Sequence, residues 1–222
     1  MLTFNAAASD TGTDEKIKWE WRVFWPSDCP HAADYGRFSF LGRAPDALEK
    51  ESDADTYIFR EGSPLDIKLR DGDISYKKLV SEDHGFYGFT KKHHFQFPID
   101  AGQIGFIPGF AGHGEIRDGA ALKRHLSRNP HGAAPVFITK ERATASFTNP
   151  DHPEKKAKAE FATLEINGKR FQTLSIESSH LHWLKKLAAQ IDTTGGYVMD
   201  YPGFLSFAAP SAALPRRALT AT

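Results

Sequence analysis

The stretch "LDIKLRDGDISYKKL", residues 65–79, has the alternating pattern and the central turn of a β-hairpin. Asp71-Gly72 predicts a two-residue type I′ turn, which requires positive φ at both central positions, and this turn sets Arg70 opposite Asp73. Successive side chains point to opposite faces of a strand, so the hairpin has two different faces. One face carries Ile67, Leu69, Ile74 and Tyr76. The other face carries Lys68, Arg70, Ser75 and Lys77, and such a cationic face needs water or an anion as its partner.

Other predicted strands repeat this two-faced pattern. In strand 17–24, Lys18, Glu20 and Arg22 alternate with apolar side chains. In strand 135–147, Lys140 and Arg142 lie two residues apart, although Val136 and Ile138 share their face. A second hairpin over 159–178 turns at Asn167-Gly168 and directs Ser175 and Glu177 to one side. An amphipathic strand with one solvated face would explain any one of these strands, but it explains the recurrence less well.

The order of predicted elements favours a single mostly antiparallel domain. Further elements are a strand over 55–60, helices over 114–129 and 178–191, and a short helix within 42–53, whereas 84–114 has no clear assignment. Many strands, hairpin turns and no βαβ rhythm predict an α+β or β-barrel architecture. We expect one domain over 15–205, a flexible N-terminus over 1–14 and a flexible C-terminal tail over 206–222.

Composition restricts the classes of function. The 222 residues include 28 basic and 28 acidic side chains, so the overall charge favours neither double-stranded nucleic acid nor a membrane surface as a partner. The chain has one cysteine, no apolar run long enough to cross a bilayer and no typical signal peptide. We therefore expect a cytoplasmic protein. The sequence predicts no oligomeric state.

If the charged faces turn inward in a closed barrel, they create a cationic lumen. Its basic side chains would be Lys18, Arg22, Lys68, Arg70, Lys77, Lys140 and Arg142. The opposing acidic side chains would be Glu20 and Glu177 alone. Because unpaired buried charges are costly, such a lumen predicts a polyanionic ligand, a triphosphate-containing small molecule or inorganic polyphosphate.

In this order of motifs the chain resembles the CYTH, or triphosphate tunnel metalloenzyme, superfamily. The resemblance covers roughly residues 16–205 and rests on "KWEWR" in the first strand, Lys68-x-Arg70 followed by Lys77, Lys140-x-Arg142 after a helix, and "LSIES" before the last helix. It implies a closed eight-stranded antiparallel tunnel with flanking helices. It also implies a triphosphatase-type hydrolase, with adenylyl cyclase activity less expected.

The resemblance assigns Glu20 and Glu177 as catalytic residues and metal ligands, and the seven basic side chains as substrate-binding residues. The family's first-strand and late-strand glutamates are replaced here by Lys18 and Ser175. The remaining two carboxylates predict one Mg²⁺ or Mn²⁺ ion rather than two. Glu165 is excluded, because its strand position places it on the face opposite Glu177.

Three functions remain open from the sequence. The first is a metal-dependent phosphohydrolase that binds a triphosphate-containing substrate in the tunnel. The second is a non-catalytic polyphosphate-binding or triphosphate-binding module that has lost its metal ligands, which the replacements by Lys18 and Ser175 favour. The third is a lipocalin-like barrel that binds a small molecule and turns its charged faces outward. The direction of Lys68, Arg70, Lys140 and Arg142 distinguishes the third from the others.

Overall fold

Eight strands form a closed antiparallel β-barrel in the computed structural model, which confirms the predicted fold class. The structure describes residues 17–30, 32–38, 47–70, 72–110, 112, 114–128 and 132–209. The barrel strands are β1 (Lys18–Pro26), β2 (Ala47–Phe59), β3 (Leu65–Arg70), β4 (Asp73–Asp83), β5 (Phe86–Phe89), β9 (Ala134–Thr148), β10 (Lys156–Ile166) and β11 (Lys169–Ser178). Their order around the barrel is β11-β10-β9-β2-β3-β4-β5-β1, and pairing of β1 with β11 closes it.

Both hairpins have the registers that the sequence predicts. In the first, Arg70 pairs with Asp73 and Lys68 with Ser75, and Gly72 has a φ of 83°. In the second, Asn167 and Gly168 have φ values of 50° and 73°, which a type I′ turn requires. Local turn chemistry and alternation therefore fix the faces of the side chains that flank both turns. In β4 this regular alternation ends at a register shift between Leu79 and Ser81.

The short elements lie around the barrel. The remaining strands are β6 (His93–Gln96), β7 (Ile99–Asp100), β8 (Glu115–Ile116) and β12 (Tyr197–Val198), and the helices are α1 (Gly119–Ser127), α2 (Leu181–Ala188) and α3 (Tyr201–Ala208). Short 3₁₀ turns cover Ala32–Arg37 and Ala101–Ile104. The region 84–114, unassigned from sequence, thus contains β5, β6, β7 and a 3₁₀ turn. No helix among the described residues combines the length and hydropathy that crossing a bilayer requires.

Two sequence predictions need correction. The helix expected within 42–53 is wrong over 47–53, because β2 begins at Ala47 and pairs with β9 along its whole length; positions 42–46 lie outside the described residues. The predicted tail boundary at 206 is also misplaced, because α3 continues to Ala208. Residues 210–222 and 1–16 lie outside the described part of the chain.

Apolar side chains pack in two layers outside the barrel wall. Under α2, the outward face of β1 and β11 contributes Trp21, Trp25 and Ile176 to one core. Under α1 and the Ala101–Ile104 turn, Ile67 and Leu69 of the first hairpin enter a second core. Since these faces are covered by helices, the alternating charged faces point into the lumen.

Helix α3 closes one end of that lumen. A third apolar cluster joins Tyr201, Phe204 and Leu205 of α3 to inward side chains of the barrel. These inward side chains include Phe24, Tyr57, Val136, Ile138, Ala162, Leu164 and Phe171. Phe24 and Phe204 stack with ring centroids 3.9 Å apart. The shared face of Val136, Ile138, Lys140 and Arg142 is thereby explained: it is apolar where α3 fills the barrel and charged toward the open end.

Candidate anion-binding site

All seven predicted basic side chains lie on inward faces of the barrel strands. Lys68, Arg70, Lys140 and Arg142, from β3 and β9, point into the same lumen as Lys18, Arg22 and Lys77. The lipocalin-like alternative requires these charged faces to point outward, so its prediction of their direction is wrong.

The predicted charge excess, however, is also wrong. Five further carboxylates accompany Glu20 and Glu177 and pair with the basic side chains: Glu51, Asp53, Asp55, Asp66 and Glu160. Among the described residues, seven acidic side chains thus face the seven predicted basic ones. The strand positions of Asp66 and Glu160 already place them on the charged faces. Glu51 and Asp53 were not expected there because they fall within the predicted helix, whereas Asp55 is the first residue of the strand predicted over 55–60.

Asp55 anchors the ion pairs between β2, β3 and β9. Arg70 donates two hydrogen bonds to it, from Nε to Oδ1 at 2.5 Å and from an NH2 group to Oδ2 at 2.9 Å. Lys140 Nζ lies 3.0 Å from Asp55 Oδ2 and donates to the hydroxyl of Tyr57 at 3.0 Å. Burial would raise the pKa of Asp55, but the hydrogen bond from Arg70 and the charge of Lys140 hold that pKa well below its usual range.

Glu20 holds a second group of ion pairs between β1 and β4. Arg22 Nε donates to its Oε1 at 2.8 Å, and Lys77 Nζ donates to its Oε2 at 2.5 Å. Burial opposes ionisation, yet the charges of Lys77 and Arg22 hold the pKa of Glu20 well below its usual range. Lys77 also lies 3.5 Å from Asp66 Oδ2. Both oxygens of Glu20 are therefore occupied by protein cations.

Glu160 connects Arg22 to Arg142. Its two oxygens lie 3.5 Å and 3.2 Å from NH1 groups of Arg22 and Arg142. Burial would raise its pKa, but Arg22, with Lys140, Lys68 and Arg142, lowers the pKa of Glu160 to about 2. The network thus continues from β1 through β10 to β9.

Lys68 differs from the other six predicted cations. Each of those six has an ion-paired carboxylate, whereas Lys68 has no ion pair or hydrogen bond among the residues that the structure describes. Its Nζ lies 4.9 Å and 5.3 Å from the ring centroids of Tyr57 and Tyr201. Burial, together with the nearby charge of Lys140, lowers the pKa of Lys68 below its usual range.

A cavity of about 880 Å³ opens at the end of the barrel opposite α3. Three carboxylates line it: Glu20, Asp66 and Glu177. Seven lysines line it: Lys18, Lys68, Lys77, Lys91, Lys92, Lys156 and Lys158. Arg22, Arg70 and Arg142 do not line this cavity, so its wall carries more lysines than carboxylates. Four of these lysines, at 91, 92, 156 and 158, were missed by the sequence analysis because they lie at strand ends and in an unassigned segment.

The predicted metal ligands do not fit a divalent ion in this arrangement. Glu20 and Glu177 are direct partners on β1 and β11, but Glu20 is bonded by Arg22 and Lys77, and Glu177 is ion-paired with Lys18. Mg²⁺ and Mn²⁺ need oxygen ligands that are free to coordinate, and three neighbouring protein cations would repel the ion. Nor do the described residues contain any group of three or more His, Cys, Asp or Glu side chains suited to a metal.

Comparison with known proteins gives no further assignment. No protein-family model matches the chain, and no curated protein sequence matches it. The resemblance to the triphosphate tunnel metalloenzymes therefore stays a prediction that rests on the strand patterns.

Proposed function

We propose that this protein binds a polyphosphate or the triphosphate group of a small molecule, and that it binds without hydrolysing its ligand. The observation that carries the proposal is the wall of the open cavity, with seven lysines against three carboxylates. One of these lysines, Lys68, has no ion pair with any residue that the structure describes. Ammonium groups on several strands can contact several phosphate oxygens at once. A volume of about 880 Å³ is within the range of small-molecule sites.

The occupied carboxylates support binding over hydrolysis. Metal-assisted phosphoryl transfer needs ions that neutralise charge on the phosphate oxygens and position the nucleophile. Here Lys77 occupies one oxygen of Glu20, and Lys18 is paired with Glu177. These lysines supply positive charge without a metal, but they also engage the two carboxylates that would otherwise activate water.

Calorimetry and thermal unfolding with tripolyphosphate in the presence of EDTA test the proposal. At 100 times its dissociation constant, a bound ligand would stabilise the fold by about 2.7 kcal/mol, or about 5 to 11 °C for a chain of this size. Sodium chloride at matched ionic strength is the control for screening. Equal shifts with both salts would contradict an anion site.

Two variants and a phosphate-release assay sharpen this test. Lys68→Met should weaken tripolyphosphate binding, whereas Lys50→Met, on an exposed outward position of β2, should not. Phosphate release from tripolyphosphate should stay at the buffer rate with Mg²⁺ or Mn²⁺. Release that depends on metal and disappears in Glu20→Gln would overturn the non-catalytic proposal and restore the hydrolase.

A further inference from the structure

The Lys68 side chain is a half-buried amine in the cavity wall that has no ion pair with any residue that the structure describes. It lines the open cavity, and no carboxylate among the described residues lies within ion-pair distance of it. Lys77 lines the same cavity but is held by Glu20 and Asp66. The two lysines therefore share one cavity and differ in whether their amine is engaged.

Lys140 is a second cation whose charge acts on Lys68. Both ammonium groups lie over the same two rings: Lys140 Nζ is 5.2 Å and 4.5 Å from the centroids of Tyr57 and Tyr201, close to the corresponding distances for Lys68. The positive charge of Lys140 disfavours protonation of Lys68. A lysine that is desolvated and lies beside another cation is the kind of amine that acts as a nucleophile.

We propose that Lys68 forms an imine with the carbonyl group of a phosphorylated aldehyde or ketone bound in the cavity. The inference rests on the proposed function, because the surrounding lysines would hold the phosphate group while the carbonyl carbon meets Lys68 Nζ. The nitrogen of the neutral amine adds to the carbonyl carbon, and one amine proton moves to the carbonyl oxygen to give a hydroxyl. The second amine proton leaves with that oxygen as water when the C=N bond forms. The step is neither an oxidation nor a reduction.

The cavity also offers an acceptor for the hydroxyl group of the addition intermediate. Asp66 lies two residues before Lys68 on the same face of β3, is 4% exposed and lines the cavity. Its Oδ1 atom has no hydrogen-bond partner among the described residues. A buried acceptor without a partner is costly unless a ligand or water satisfies it.

The protonation of Lys68 depends on groups from several elements. The ionisable groups that act on it or respond to it are Asp55 and Tyr57 of β2, Asp66 of β3, Lys92 after β5, Lys140 of β9, Glu160 of β10 and Tyr201 of α3. Burial and Lys140 lower the pKa of Lys68, and the carboxylates partly oppose them. The net direction increases the fraction of unprotonated amine at neutral pH.

Reductive trapping with pyridoxal 5′-phosphate tests this inference on the full chain. The protein is incubated with the aldehyde at pH 7.5, the imine is reduced with sodium borohydride, and peptides are identified by mass spectrometry. We expect Lys68 to be the principal labelled lysine, at least tenfold above the exposed Lys91 at the cavity edge. Lys68→Arg should remove this label, and Lys50→Arg should leave it unchanged.

Three results separate the inference from the proposed function. Tripolyphosphate should slow labelling of Lys68, and unphosphorylated pyridoxal should label it more slowly than pyridoxal 5′-phosphate. Tripolyphosphate binding with label only on Lys91 and other edge lysines would overturn the imine site and leave the anion site intact. Suppose instead that Lys68 is labelled rapidly, that tripolyphosphate does not slow the labelling, and that calorimetry detects no tripolyphosphate binding. This result would support the reactive amine and overturn the polyphosphate site.

Discussion

The guanidinium of Arg22 lies over the ring of Tyr201, with Cζ 4.6 Å from the ring centroid. Arg22 belongs to the ion-pair network of the lumen, and Tyr201 is the first residue of α3. This contact marks the boundary between the charged part of the barrel and the apolar part that α3 fills. A cation over an aromatic face is favourable, so this contact stabilises the boundary between the two parts of the barrel.

Removal of the Tyr201 ring should destabilise the barrel strongly. The ring is buried, stacks on Tyr57 at a centroid distance of 4.7 Å and contacts Arg22 and Lys140. Tyr201→Ala should lower the free energy of unfolding by about 3–5 kcal/mol, as for other large buried aromatic residues. Phe207→Ala is the control, because Phe207 is 48% exposed on the same helix and should cost less than about 1 kcal/mol. Equal losses in urea titrations would show that α3 does not close the barrel.

Glu20 should contribute to stability in the absence of any metal. Glu20→Gln removes the carboxylate that lies nearest to both Arg22 and Lys77 inside the barrel. Only the longer contacts of 3.5 Å, from Arg22 to Glu160 and from Lys77 to Asp66, would remain. Breaking a buried ion pair in this way costs about 3–5 kcal/mol. Glu177→Gln should cost less than about 1 kcal/mol, because Glu177 and Lys18 are partly exposed at the open end. Urea unfolding in EDTA measures both, and a similar small loss in each variant would contradict the buried role of Glu20.

The two neighbouring cations of β3 should behave differently when neutralised. Arg70→Met removes a bidentate contact to the buried Asp55 and should cost about 1.5–3 kcal/mol. Lys68→Met removes a charge that has no ion pair among the described residues and relieves repulsion from Lys140, so stability should stay equal or rise. Thermal unfolding at low ionic strength compares the two. A larger loss in Lys68→Met would mean that Lys68 has a structural role.

Acid should destabilise the protein through its lumen carboxylates. The pKa of Glu160 is lowered from 4.5 to about 2, so the unfolded chain binds more protons between these values. Stability is therefore fully present above about pH 4.5 and is lost as the pH falls toward 2, by up to about 3 kcal/mol for this one group. Glu20 and Asp55 have lowered pKa values and act in the same direction.

Urea titrations at pH 7, 5 and 3 measure this dependence. Glu160→Gln should be less stable than the parent at pH 7 and should lose less stability between pH 5 and 3, because the group that takes up a proton is absent. Parallel curves for the parent and this variant would show that Glu160 does not carry the acid dependence.

The sequence by itself determined the features that depend on neighbouring residues. Asp71-Gly72 and Asn167-Gly168 set the turns, and period-two alternation then fixed which side chains of each hairpin share a face. The inward direction of Lys68, Lys77 and Glu177 follows from this local chemistry once the sheet closes. Glu165 was excluded for the same reason, and it lies on the exterior with Arg170.

Only the tertiary structure decided the charge balance of the lumen and the closed end of the barrel. Glu51 and Asp53 lie in a charged segment that locally suits a helix, and Asp55 follows it. Pairing of β2 with β9 is what turns all three side chains inward. The apolar helix α3 packs onto strands that are distant in sequence, and no local sequence pattern predicts which strands these are. Ion pairing and packing depend on distances in space, so a count of charges along the strands predicted an excess that cross-strand neighbours largely cancel.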